Sequence, residues 1–466
     1  MRYDAAGGRD DAPRRLPVPI HESRRRGRQS APTGPLTKNV FIIGLNDFHH
    51  QRLKRLRGAE DIAFHGLIDP AKVYETEEFD IPGMLKEAED QLNAFDGTID
   101  AIAGYMDFPV STMLPILCNK FGARTTSLES LLKCEHKYWS RSVQHEVIPD
   151  HIPNFTAFDP FDDSALSKIG QSGLAFPFFV KPIKSSGSRL GFRIDNPEDF
   201  DDAIEKLRAD IGTISTPFNY VLDQADLPDE IKAIDGRYCM AEQIIGGRQC
   251  TVEGYVYEGE VVPYGIVDSI RYPQVLSFFY YLYPSNLPAR VQDKMSEFTR
   301  TIMSHTGFNN SAFNIEYFWD EVSDQIWLLE INTRISQSHC DLFEKVDGIS
   351  NQQVTVDLAL GRRPDMPHRQ GQHHVAGKFF YRVFFSDATV TGIPDKEQIE
   401  AAQAKVPGTY IAPQVKAGSR LSDLPEQDAY SYAVAYIWMG AKSQGKLLWN
   451  YEQTIKSLNF QFDIDE

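Results

Sequence analysis

Between Trp327 and Arg334 the chain reads Trp-Leu-Leu-Glu-Ile-Asn-Thr-Arg, and this octet constrains the fold more than any other segment. Glu330, Asn332 and Arg334 fall on every second position, and successive strand residues point to opposite faces, so the three side chains share one face of a strand. Trp327, Leu328, Leu329 and Ile331 surround them, and a carboxylate in such apolar company needs a partner. Upstream, Ala312–Trp319 reads as a further strand and carries Glu316. Two carboxylates and an amide oxygen make a hard oxygen-donor set suited to Mg²⁺ bridging phosphates. The alternative, a solvated strand face, is weakened by the apolar neighbours. Arg334 offers a planar fork that fits a carboxylate or a phosphoryl group, with a salt bridge to a nearby carboxylate as the plainer reading.

Two other segments carry chemistry. Phe178-Phe-Val-Lys181-Pro-Ile-Lys-Ser-Ser-Gly187-Ser188 reads as a strand that ends in Lys-Pro and opens into a Ser/Gly loop. Small residues let backbone N–H groups approach phosphate oxygens, and a lysine adds a point charge. A plain strand-turn is the equal alternative for this segment taken alone. Ala241-Glu242-Gln-Ile-Ile-Gly-Gly-Arg-Gln249 follows, and Lys133-Cys-Glu-His-Lys137-Tyr-Trp-Ser-Arg141 precedes both.

The surroundings are those of an α/β chain. Asn39–Leu45, Ile62–Ile68 and Ile99–Tyr105 are strand candidates, and Val110–Phe121 has helical spacing. This alternation predicts a small doubly wound domain. It has no Gly-x-Gly-x-x-Gly, so dinucleotide binding has no support. A helix is expected over Leu128–His145 and a strand over Asn154–Phe158. Arg362 to Gly371 reads as a linker, and strands are expected at Ala376–Phe385 and Ala433–Met439 in a last α+β lobe. The expected division is a basic, disordered tail over 1–36, an α/β domain over 37–127, a central domain over 128–365 and a C-terminal lobe over 366–466.

The net charge of -17 argues against general nucleic-acid binding. The first 36 residues hold eight arginines and little that could pack, and a dispensable extension is preferred there to a targeting or RNA-binding role. The 5 cysteines form no Cys-x-x-Cys pair, which fits a reducing cytoplasm better than a disulfide scaffold. Phe278–Tyr283 is apolar but too short to cross a bilayer. It reads as core and lid packing, with the lining of an acceptor pocket as the minority reading. The pairs His49-His50 and His373-His374 are discounted as metal sites, because neighbours on a strand face opposite ways.

In order and spacing, these segments together resemble the ATP-grasp superfamily, over roughly Asn39 to Leu360. The final lobe is similar to that of its biotin-carboxylase-like branch, which also includes carboxylate–amine ligases such as the L-amino acid ligases. The resemblance implies α/β and α+β architecture, with a Rossmann-like domain before the ATP-grasp domain. It implies ATP and Mg²⁺ as cofactors, with Mn²⁺ as an alternative ion. Lys137 and Lys181 would contact ATP phosphates, and Ser185, Ser186, Gly187 and Ser188 would close over them. Glu242, Gln243, Ile244 and Ile245 would form the hinge that holds adenine. Glu316, Glu330 and Asn332 would bind two Mg²⁺ ions, and Arg334 would hold an acyl phosphate. Gln249 stands where many relatives place a ribose-binding glutamate, and glutamine can still accept a hydroxyl hydrogen.

A second departure bears on the reaction. Biotin carboxylases continue Glu-Met-Asn-Thr-Arg-Ile-Gln-Val-Glu-His, with that last glutamate as base toward bicarbonate. This chain reads Glu330-Ile-Asn-Thr-Arg-Ile-Ser-Gln-Ser338-His339, and a serine has no comparable basicity. Carboxylation is therefore disfavoured against a ligase that activates a small-molecule carboxylate and joins it to an amine. A catalytically silent ATP-binding regulator is the third reading. His339 is open between a structural hydrogen bond, the preferred reading, and a base. No nucleic-acid or membrane partner is expected, and a homodimer stays open.

Overall fold

The N-terminal alternation builds a three-stranded parallel sheet, in which β1 (Lys38–Ile43) lies between β2 (Ile62–Leu67) and β3 (Ala101–Ala103). The computed structural model describes residues 37–76, 78–185, 189–275, 277–384, 387–424 and 431–464, and residues 37–466 group as one compact unit. The arginine-rich tail and Ser186, Gly187 and Ser188 of the expected phosphate loop lie outside the described residues.

The expected helix Val110–Phe121 is present with those bounds. Leu128–His145 is instead two helices, Leu128–Glu135 and Lys137–Val147. Both break at His136, whose ψ of 100° leaves the helical region. Its buried imidazole caps the second helix by accepting from the Trp139 N–H, and its Nε2 lies 2.8 Å from the Ile234 carbonyl. Burial holds its pKa down at about 4, so the neutral ring serves both contacts. The histidines at 49 and 50 also differ from expectation, since they lie on a helix, Asp47–Leu53, rather than a strand.

A second sheet takes β4 (Phe155–Phe158), β5 (Phe178–Pro182), β6 (Phe192–Ile194) and β7 (Cys239–Gln243) in the order β4-β7-β5-β6. Phe178, Val180, Cys239 and Ala241 face a core closed by Phe200, Ile204 and Leu207. The opposite face carries Phe179, Lys181, Met240 and Glu242, by the alternation of the strands and the pairings Phe179↔Glu242 and Lys181↔Met240.

The largest sheet is antiparallel. Its strands are β8 (Arg248–Tyr257), β9 (Glu260–Arg271), β10 (Phe278–Tyr283), β11 (Ser311–Asp320), β12 (Gln325–Asn332) and β13 (Val375–Val383). After β14 (Ala388–Gly392), which pairs with β17 (Gln461–Ile464), come β15 (Tyr410–Pro413) and β16 (Tyr432–Ala441). The order is β12-β11-β8-β9-β10-β13-β16-β15. The segment after 366 thus supplies three strands to the sheet that holds Glu330. One face is a dry core, where Cys250, Val252, Ile315, Tyr317, Leu328 and Ile331 pack on Met295, Ile302 and Met303 of the helix Ala289–Thr306. Each such side chain contributes about 1.5–3 kcal/mol on burial, enough to hold polar residues on the opposite face in fixed places.

Candidate functional site

The polar face of the large sheet is laid out by register. One row runs Asn332, Asn314, Glu253, and the next runs Glu330, Glu316, Thr251. A third crosses the sheet through Gln249, Ser269, Tyr281, Lys378, Trp438 and Tyr410. The floor is therefore acidic at its β11–β12 end, amidic in the middle, and basic and aromatic at its β10–β16 end.

At the acidic end Glu330 and Glu316 are directly opposed across β11 and β12. Burial and the neighbouring Glu330 push the Glu316 carboxyl up. Burial acts the same way on Glu330, but Lys137 and Lys181 outweigh it and hold that carboxyl down. Lys137 Nζ is 2.9 Å from Glu330 Oε2 and 3.1 Å from the Ser185 carbonyl. The Lys137 N–H, exposed by the break at His136, donates to the Ile183 carbonyl at 3.1 Å. This bond ties the second helix to the segment after Lys181. Asn332 Nδ2 donates to Asn314 Oδ1 at 3.0 Å and to Glu316 Oε1 at 3.4 Å.

Facing this floor, Glu242 is buried between two cations, with Lys181 Nζ and Arg141 Nε each 2.6 Å from its carboxylate. Burial alone would raise its pKa, but Arg141 and Lys181 bring it down to about 2. Arg141 also donates to the Leu329 carbonyl at 2.7 Å, which links the two sheets. Burial lowers the Lys181 ammonium despite Glu242. Between the sheets lies a cleft whose lining includes Lys137, Lys181, Lys184, Ser185, Glu330 and Asn332, with Met240, Leu329 and Ile331 as its apolar wall.

Of the other expected residues, Arg334 lies just beyond β12 with its Nη2 3.2 Å from Asp107 Oδ2 and 3.5 Å from Asn332 Oδ1. Gln249, expected at a ribose, donates to Glu316 Oε2 at 2.8 Å and accepts from Arg271 at 2.6 Å. Gln243 closes β7 at the surface, and Ile244 and Ile245 follow it as half-buried residues. Glu316, Gln249, Arg334 and the hinge residues 243–245 do not line the cleft that Lys137, Lys181 and Glu330 share.

Sequence reasoning missed Asp107, Glu135, Lys184 and Glu253. Lys184 Nζ sits 2.7 Å from Glu135 and 3.4 Å from Asp107, and Thr333 also donates to Glu135. Burial would lower the Lys184 pKa, but the two carboxylates raise it. Asp107 follows β3, at the carboxyl end of a parallel strand, where α/β sheets place their sites; that position was the available signal. Among the described residues no three His, Cys, Asp or Glu side chains form a ready metal cluster. Glu316, Glu330 and the Asn332 amide could hold only an ion that takes its remaining ligands from phosphates and water.

The family described as "ATP-grasp domain" matches residues 174–341. A D-alanine–D-alanine ligase of Synechococcus sp. (strain CC9605) is 25% identical over 200 residues, which is 42% of this chain and 51% of that protein. The match therefore spans about half the length of that curated relative. The crystal structure of an L-amino acid ligase from Bacillus licheniformis superposes with a TM-score of 0.67 at 17% identity, covering 92% of this chain and 99% of that one. Biotin carboxylase from Campylobacter jejuni, solved with an ATP analogue, gives a TM-score of 0.60 at 15% identity, covering 91% and 92%. At those identities the two structures speak to the fold. Residues 174–341 thus match the ATP-grasp domain, and the chain shares its fold with the ligase and carboxylase structures.

Proposed function

We propose that the chain is a Mg²⁺-dependent ligase that uses ATP to activate an amino-acid carboxylate as an acyl phosphate and joins it to the amine of another amino acid. The observation that carries this reading is the cleft itself, where Lys137 contacts Glu330 and the charge of Lys181 also acts on it, with Glu316 opposite Glu330 in the sheet but outside the cleft lining. Buried cations against a like-charged carboxylate pair suit a polyphosphate and a divalent ion together. The amino-acid assignment draws on the names of the D-alanine–D-alanine ligase and the L-amino acid ligase.

Glu316, Glu330 and Asn332 would hold Mg²⁺, which when bound supplies charge neutralisation across the phosphates. Lys137 and Lys181 would bind the phosphate oxygens, and Ser185 with the three residues after it would exclude water above them. Glu242 through Ile245 would form the hinge that seats the adenine. Arg334, braced by Asp107 at 3.2 Å, would orient the substrate carboxylate toward the γ-phosphate and steady the charge that develops there. Such phosphoryl transfer is chiefly positioning and charge neutralisation.

Ser338 weakens the carboxylase alternative, since its Oγ accepts from Lys378 Nζ at 2.8 Å and offers no base. The five cysteines, all free and buried, support a reducing cytoplasmic setting. Among the described residues no helix is long and apolar enough to cross a membrane. We divide the labour into an α/β domain over 37–127, an ATP-grasp domain over 128–365 and a C-terminal lobe over 366–466, with the tail 1–36 dispensable and a homodimer open. ADP release with a panel of L-amino acids tests the function. A ligase releases ADP only with acceptors, a carboxylase requires bicarbonate, and a silent binder releases none; either of the last two results rejects the reading.

A further inference from the structure

We infer that His339 and Glu253 form a base-and-anchor pair for the second half of the reaction, in which His339 takes the proton from the attacking amine. This rests on the ligase reading above and adds a group that the cleft does not contain. Glu253 is wholly buried on the polar floor, in the row of Asn314 and Asn332. Its Oε1 accepts from the Ser336 N–H at 3.0 Å and lies 2.8 Å from His339 Nδ1, and its Oε2 accepts from the Tyr264 hydroxyl at 3.2 Å. An acceptor at Nδ1 fixes the ring hydrogen there, which leaves the Nε2 lone pair for a proton. Among the described residues Nε2 has no hydrogen-bond partner.

The pair also lies beside the residue proposed to orient the carboxylate: Glu253 is opposite Asn314 in the sheet, and Asn314 Nδ2 donates to the Arg334 carbonyl at 2.9 Å. Arg334 feels the charge of Glu253 as well as those of Asp107 and Glu316. The Tyr281 ring stands edge-on to His339 with centroids 5.2 Å apart, and its phenol feels Glu316 and Arg334. Tyr281 thus separates His339 from the acidic end by one ring. The short turn Gln337–His339 is tied to the floor by the Ser336–Glu253 bond and by Ser338, which Lys378 contacts from β13. Lys378 lies among Tyr281, Phe380, Tyr436 and Trp438. His339 is 2% exposed, screened from the bulk water that would hydrolyse an acyl phosphate.

In the step itself the amine nitrogen attacks the acyl carbon. The C–N bond forms, and the C–O bond to phosphate breaks with its electron pair leaving on inorganic phosphate. The surplus proton on nitrogen passes to His339 Nε2 and then to solvent. Glu253 is a positioning residue that holds the tautomer.

The test gives the full chain, ATP, Mg²⁺ and an equimolar mixture of the twenty standard L-amino acids, with and without hydroxylamine. Mass spectrometry measures amide and hydroxamate. Hydroxylamine is a strong neutral nucleophile at pH 7 and traps acyl phosphates without a base. We expect His339→Asn to raise the hydroxamate-to-amide ratio on the order of a hundredfold, the lower range for a lost general base. Glu253→Gln, which keeps shape and an acceptor oxygen, is expected to raise it about tenfold, and it carries the test if the histidine variant fails to fold. Equal losses of both products, with the ratio unchanged, would make the pair purely structural and overturn the inference alone. No ADP release by the parent with either nucleophile would overturn the ligase reading and this inference together.

Discussion

Replacing Glu242 by glutamine removes the one carboxylate that Lys181 and Arg141 share, while leaving both cations buried beside an amide. The Glu242 pKa falls from the ordinary 4.5 to about 2 in the folded protein. At ~1.36 kcal/mol per pH unit, that depression is worth roughly 3 kcal/mol. Breaking a buried pair from one side typically costs about 3–5 kcal/mol, which agrees. A group whose folded pKa is depressed stabilises above its unfolded pKa, so the loss is full from pH 4.5 upward and fades as pH falls toward 2. Because Glu242 lies on β7 and Lys181 on β5, the loss is read locally. Hydrogen exchange of the β5 and β7 amides at pH 7 is expected to accelerate by about two orders of magnitude, with little change in β1–β3. Adding Lys181→Met to Glu242→Gln removes one orphaned cation and is expected to restore part of the protection, as a double-mutant cycle. Unchanged exchange in the single variant, or a deficit that grows on acidification from pH 5 to 3, would refute the reasoning.

Glu330→Gln is expected to abolish most turnover at ordinary Mg²⁺ while the melting curve stays close to the parent's, because the side chain faces the cleft and not the core; parental activity removes the metal assignment. Arg334→Lys keeps charge but loses the fork, so ATP affinity is expected to hold while turnover drops on the order of a hundredfold; Lys181→Ala is expected to weaken ATP binding itself, and calorimetry with a turnover assay separates the two. Gly247 has φ 127° and lies against the Trp319 carbonyl, so a methyl there would overlap backbone. Gly247→Ala is expected to destabilise by about 1–3 kcal/mol, measured by urea unfolding, and a neutral result would show that the β7–β8 turn yields.

The octet Trp327–Arg334 was legible because alternation against apolar neighbours fixes both the strand and its polar face, and β12 spans Gln325–Asn332. Val110–Phe121 was legible for the same kind of reason, a 3.6-residue apolar spacing. The break at His136 was not, because the carbonyl that fixes its ring belongs to Ile234, 98 residues away, and local propensity favours one long helix. The pairing of Glu242 with Arg141 was equally hidden, although both residues stood in segments singled out for other reasons. Asp107 and Lys184 escaped because their meaning lies in each other and in Glu135, a charge balance spread over three elements. A strand's face can be read from its own residues; which strand sits beside it, and hence that β10 joins β13, cannot.

The unbroken hydrogen-bonded ladder from β12 to β15 makes the acidic end and the aromatic end parts of one plate. Such a plate carries two independent adaptations. Changes at Tyr281, Phe380, Tyr436 or Trp438 reshape the far end without altering the order of residues at Glu330 and Glu316, which lie five and four ladders away from β13. If the aromatic end lines an acceptor pocket, directed diversification of those four positions is a compact library for changing acceptor range, with the acidic end left as a fixed chassis.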